Sequence, residues 1–287
     1  MATEFSLMKK LKNLTFGLGK RQCRTVDKIR FIPDRRVTAL GRCEDDFNAD
    51  TLYIWKTTSI MPSKIIKDRV EPAIDMTVTS TGDIMVLRKE DPIIRVFTPD
   101  ADTPAQARDI HIKVDQTIKE EMLFLETSEK GYIFIVHGDP QGQLLVFNPE
   151  GAQVQTVKLE KTGGISYSKA EKIIYVAADD HIGKYHWDGT ALMKVSSDPH
   201  GVARFSCTDV AIGSSGEVFA TGSVDQTVKV YQVLERQQGS GPVLMKEVGF
   251  AEKEARNSYS PSSCAQGDQF ALEYGENKPN IWLYNLS

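Results

Sequence analysis

The chain has no apolar run near the ~18 residues that a membrane helix needs, and no apolar stretch follows the early cations Lys9, Lys10 and Lys12. The sequence therefore predicts neither a membrane span nor a signal peptide. Cysteine is scarce, with Cys23, Cys43, Cys207 and Cys264 widely spaced among 287 residues and no CxxC pair. That spacing argues against a disulfide framework or a zinc module and predicts reduced thiols in a cytoplasmic protein. Gly-x-Ser-x-Gly, a phosphate loop and a dinucleotide fingerprint are missing too, so no enzyme class announces itself. The net charge of −4 does not suggest a constitutive nucleic-acid binder. It is uneven, however. Residues 1–36 hold ten Lys/Arg against three Asp/Glu, or +7, and the remainder holds 25 against 36, or −11. Such asymmetry marks either a basic patch or ordinary surface variation.

What is present is a repeat. Short apolar runs ending in an aromatic recur six times, and their last residues are Trp55, Phe97, Phe147, Trp187, Tyr231 and Tyr284. Successive ends lie 42, 50, 40, 44 and 53 residues apart. A period of 40–50 residues signals a radial or stacked array. Each unit has the same order: an inner run such as Asp75–Val78 or Asp209–Ile212, a tight turn, a β-rich strand such as Ile84–Leu87, the aromatic-ended strand, and a more polar outer strand such as Val154–Val157. Inner strands apolar on both faces and a half-wet outer strand are what a four-stranded propeller blade requires. The expected fold is all-β, a single six-bladed β-propeller. Its blades fall at about 15–70, 71–115, 116–160, 161–198, 199–250 and 251–287. No linker divides it, and residues 235–242 read as a loop within the fifth blade.

Only three residues follow Tyr284, so the last blade lacks an outer strand. Leu7-Met8-Lys9 matches Leu192-Met193-Lys194 and Leu244-Met245-Lys246 in the outer strands of blades four and five. The sequence thus predicts that residues within 1–14 pair with blade six and close the ring, removing an exposed edge. The aromatics should pack between blades.

Tyr132–His137 followed by Leu145-Val146-Phe147-Asn148-Pro149-Glu150-Gly151 resembles an NHL repeat, with similar endings at Ile94–Asp100 and Trp187-Asp188-Gly189. The resemblance spans all six units but lacks the Asp and Asn–Arg of the NHL loop. Gly222–Tyr231 resembles instead a strand of the WD-repeat family. The NHL resemblance implies the C-terminal recognition domain of a tripartite-motif ubiquitin ligase, binding protein or RNA, with the catalytic part absent from this chain. The WD-repeat resemblance implies a protein scaffold with no nucleic-acid role. A third expectation is a channel-centred hydrolase or lyase, as in six-bladed lactonases.

In a propeller, the loops entering the inner strands and those joining the second and third strands share one face. The candidates there for binding RNA or a protein partner are Lys20, Arg21, Arg24, Arg42, Arg69, Arg88, Lys89, Lys161, Arg204 and Arg256. They can contact phosphates. Glu44, Asp45, Asp46, Glu90, Asp91, Asp179, Asp180 and Asp225 share those loops and counter the field. Phe47 and Tyr259 can stack a base or simply pack. Asp27, Asp75 and Asp209 recur at the mouths of inner strands, where carboxylates either hold a cation or cap a neighbouring N–H. His137, His181 and His200 share the same face but come from separate blades. No catalytic residue, metal or cofactor is expected, and the isolated domain is expected to be a monomer.

Overall fold

The computed structural model describes residues 5–12, 23–43, 50–58, 63–68, 73–88, 93–100, 107–113, 122–138, 142–160, 162–178, 180–199, 201–202, 205–213, 216–224, 227–234, 244–250, 262–266, 269–274 and 280–286. Every regular element among them is a β-strand. After β1 (Phe5–Lys12), blade one is β2 (Cys23–Ile32), β3 (Arg36–Cys43), β4 (Asp50–Lys56) and β5 (Lys64–Asp68). Blade two is β6 (Ala73–Val78), β7 (Ile84–Arg88), β8 (Ile93–Phe97) and β9 (Arg108–His111). Blade three is β10 (Met122–Thr127), β11 (Ile133–His137), β12 (Gln143–Phe147) and β13 (Gln153–Lys158). Blade four is β14 (Ile165–Ser168), β15 (Ile173–Ala178), β16 (His181–Trp187) and β17 (Leu192–Pro199). Blade five is β18 (Ser206–Ile212), β19 (Val218–Val224), β20 (Thr227–Leu234) and β21 (Leu244–Phe250). Blade six is β22 (Ser262–Gln266), β23 (Gln269–Tyr274) and β24 (Asn280–Leu286), with β1 as its fourth strand. The fold is therefore the all-β six-bladed propeller expected from the repeat.

The core lies between blades, not within one. Successive side chains of a strand point to opposite faces, so each middle strand feeds two interfaces. Ile84 and Val86 pack with blade one, whereas Met85 and Leu87 pack with blade three. Six apolar clusters result, one per pair of adjacent blades. The strand-ending aromatics all turn the same way. Trp55 packs toward blade six, Phe97 toward one, Phe147 toward two, Trp187 toward three, Tyr231 toward four and Tyr284 toward five. Trp187 meets the Phe134 ring edge-on, with centroids 5.5 Å apart. Such a side chain buries ~150–250 Å², which explains why the aromatic is the most regular mark of the repeat.

β1 closes the ring antiparallel to β24, from Phe5 opposite Leu286 to Lys12 opposite Asn280, with a shift between Leu7 and Lys9. Leu7 faces Tyr284 across the ladder as Leu192 faces Trp187. The shared tripeptide thus marks the same rung in two blades. Leu244 faces Leu234, three residues past Tyr231, so the third copy sits on a different rung.

Candidate functional site

The inner strands β2, β6, β10 and β18 each carry a register shift, between Val26 and Lys28, Ala73 and Asp75, Met122 and Phe124, and Cys207 and Asp209. The residue after each shift re-enters the ladder opposite Leu40, Leu87, Val136 and Thr221. The position of Asp75 and Asp209 is therefore held in blade one by Lys28 rather than Asp27, and in blade three by Phe124. A bulge inserts one residue and re-aims those beyond it, which strict sequence spacing does not anticipate. These residues meet. Lys28 Nζ lies 3.8 Å from Asp75 Oδ1 and 4.4 Å from the centroid of the Phe124 ring.

Asp75 and Asp209 cap neighbouring N–H groups. Asp75 is fully buried. Its Oδ1 accepts from its neighbour Met76 N–H at 2.8 Å, and its Oδ2 accepts from Leu125 N–H in blade three at 2.7 Å. Asp209 repeats this between blades five and six: Oδ1 accepts from Val210 N–H at 2.9 Å and Oδ2 from Ser263 N–H at 2.8 Å. Burial raises the Asp209 carboxyl above its ordinary value, against the pull of Lys28 and Arg30. Each carboxylate thus ties one inner strand to the next.

Two residues further along, Arg30, Thr77 and Glu126 line a cavity of about 360 Å³. Its wall draws on all six blades, with Ser166, Ala211 and Ser263 completing the set. It opens on the end of the axis that carries the β6–β7 and β14–β15 turns, as Thr79 and Lys169 at its rim show. This is the end opposite the loops that enter the inner strands, where the sequence leads one to expect partner contacts. Arg30 is buried at 9% exposure, and its Nη1 donates to Ile29 O at 2.9 Å and Ser263 O at 3.5 Å. Burial alone would lower its pKa, but Asp75, Asp209 and Glu126 outweigh that and hold it above the ordinary value. Glu126 Oε1 accepts from Thr77 Oγ1 and Thr127 N–H, each at 2.8 Å. Burial still raises its carboxyl, with Arg30 pulling the other way. Cys264, also on the wall, has its thiol pushed up to about 12 by burial, so it stays protonated and is a poor nucleophile.

The sequence candidates divide as follows. Lys20, Arg21, Arg69, Lys89, Lys161, Arg204 and Arg256 lie outside the described residues, as do Phe47, Tyr259 and His200. Arg24 falls on β2 and Arg42 on β3, with side chains outside the described set, as is that of Asp27. Arg88 ends β7 and is buried at 3% exposure, where its charge helps to hold the Asp109 carboxyl below its ordinary value behind the direct hydrogen bond from Arg95. Its guanidinium sits in the blade instead of a loop tip. His137 is buried in β11, neither ring nitrogen has a hydrogen-bond partner among the described residues, and burial lowers its pKa. His181 Nδ1 lies 2.7 Å from Asp180 Oδ1. Among the described residues no three His, Cys, Asp or Glu side chains are grouped to hold a metal. Sequence reasoning missed Arg30 and Glu126. Their signal was a charge inside an apolar inner run, Ile29-Arg30-Phe31 and Leu125-Glu126.

No family model and no curated protein matches the chain. Solved structures do. The β-propeller domain of Cps50 (Swd1) from Myceliophteria thermophila is 12% identical, with a TM-score of 0.58 over 97% of this chain and 99% of that one. A luciferin-regenerating enzyme is 11% identical, with a TM-score of 0.64 over 96% of this chain and 95% of its own. At such identity the likeness concerns the fold, and both neighbours give a propeller that spans nearly the whole chain.

Proposed function

We propose that this chain is a non-enzymatic recognition propeller that binds a protein partner through the face carrying Lys20, Arg21, Arg24, Arg42, Arg69, Lys89, Lys161, Arg204 and Arg256. One observation carries the reading. Asp75 and Asp209, the two carboxylates at the strand mouths, are each engaged by a backbone N–H group of the next blade. The axis then serves as a structural tie, and the loops around it remain for contact. The NHL resemblance adds a finer context: the recognition domain of a tripartite-motif ubiquitin ligase, working in the cytoplasm as a monomer. The WD-repeat resemblance leads to the same activity without the ligase. RNA is the second reading, favoured by the +7 charge of residues 1–36.

Affinity capture with wild type and with Lys20→Glu/Arg21→Glu/Arg24→Glu tests this. A protein retained by wild type, lost by the triple variant and unaffected by nuclease supports the protein reading. Loss on nuclease treatment, with binding that weakens steeply with salt, transfers the role to RNA. Equal capture by both proteins, or by neither, removes this face as the site.

A further inference from the structure

The axial cavity holds a buried cation and a carboxylate that attract each other without touching. Arg30 uses only Nη1, so its Nε and Nη2 donate no hydrogen bond among the described residues. No carboxylate among those residues forms an ion pair with it, although Asp75, Asp209 and Glu126 all act on its charge. Glu126 uses only Oε1, and its Oε2 accepts nothing among the described residues. Asp75 and Asp209 each give both oxygens to backbone donors and do not line the cavity, which leaves Glu126 as the carboxylate on its wall. Charges held out of bulk water need a partner with matching hydrogen bonds. An Arg fork with free donors matches a carboxylate, and a free carboxylate oxygen matches an ammonium.

We propose that this cavity binds a small zwitterion of the α-amino acid class, its carboxylate on Arg30 and its ammonium on Glu126. The hydroxyl of Ser166 on the wall adds a polar contact for a short side chain. At about 360 Å³ the space falls in the range of small-molecule sites. The ligand enters from the face bearing Lys169, opposite the partner-binding face, so the two activities are separable.

The test is calorimetric titration and thermal shift of the full chain with each standard free amino acid at ~10 mM, where even a Kd of about 1 mM gives clear occupancy. For any amino acid that binds, the matching amine without its carboxylate and the matching acid without its ammonium are run beside it. Glu126→Gln keeps the bond from Thr77 and removes only the charge. Arg30→Gln is the second variant. The expected result is a raised melting temperature with at least one amino acid, and a loss of roughly tenfold or more in affinity for both truncated ligands and for Glu126→Gln. Absence of heat and of thermal shift with every amino acid would overturn the proposal and leave the cavity to water. Truncated ligands that bind as well as the parent, or undiminished binding by Glu126→Gln, would also overturn it. Ligand analogues carry the test even if Arg30→Gln does not fold.

Discussion

Asp209 serves two blades at once, and its loss should be felt at the joint between them. In Asp209→Asn the amide NH2 must face one of the N–H groups of Val210 or Ser263, leaving a buried donor unpaired at a cost of about 1–3 kcal/mol. Melting should fall by several degrees, since ~1 kcal/mol shifts a domain of this size by roughly 2–4 °C. An unchanged melting temperature would mean the contact adds nothing. Glu126 gives a pH signature. Its folded-state pKa is raised above 4.5, so the folded chain holds that proton more tightly than the unfolded chain. The stability it supplies is fully present below 4.5 and is lost as pH rises through the raised value. Melting curves of Glu126→Gln and wild type between pH ~4.5 and ~7.5 should show the variant gaining on wild type as pH rises. A constant difference across that range would contradict the assignment. Residues on the axis were only partly legible beforehand. The role of Asp75 and Asp209 followed from their place at strand mouths, but Asp27 was set in a ring that Lys28 occupies, because the bulge before Lys28 advances the register by one.

Strands and turns were far more legible, because their physics is local and repeated. Gly82, Gly131 and Gly216 occupy one hairpin position with φ between 80° and 94°. In each case the glycine N–H donates to the carbonyl three residues before it, Thr79, Ser128 or Gly213. Blade four makes its inner turn with Lys172 at φ 56° instead. A side chain in this left-handed region costs about 1–2 kcal/mol. Lys172→Gly should therefore raise melting by a few degrees, less the entropy that glycine adds to the unfolded chain. A fall would show that the Lys172 side chain holds the turn in some other way. Gly151 differs in kind, because a Cβ there would sit 2.2 Å from the carbonyl oxygen of His111. Its carbonyl accepts from Lys113 N–H, which ties a turn of blade three to the outer edge of blade two. The closing strand is the element on which the ring depends. Deleting residues 1–14 removes β1 and bares β24, an exposed edge that invites pairing between chains. Aggregation or a large fall in melting temperature is expected, and unchanged melting would sink the closure.

At the scale of the molecule, each blade buries little alone and most apolar side chains are shared with a neighbour. This is why the period of the aromatics mapped the architecture so well: Trp55, Phe97, Phe147, Trp187, Tyr231 and Tyr284 all perform the same packing task against the preceding blade. The proposed recognition face was less legible, because loop sequences follow no such period. The cavity escaped notice for a related reason: it is assembled from residues of six blades, far apart in the chain and adjacent only around the axis. One ring, latched along its axis and closed by its own N-terminal strand, encloses the axial cavity. Hydrogen exchange of the intact chain tests it most directly. Amides of Phe5–Lys12 should be protected together with those of Asn280–Leu286, since the two strands share one ladder. Exchange of Phe5–Lys12 at the rate of an unstructured segment, while blades two to four stay protected, would contradict it.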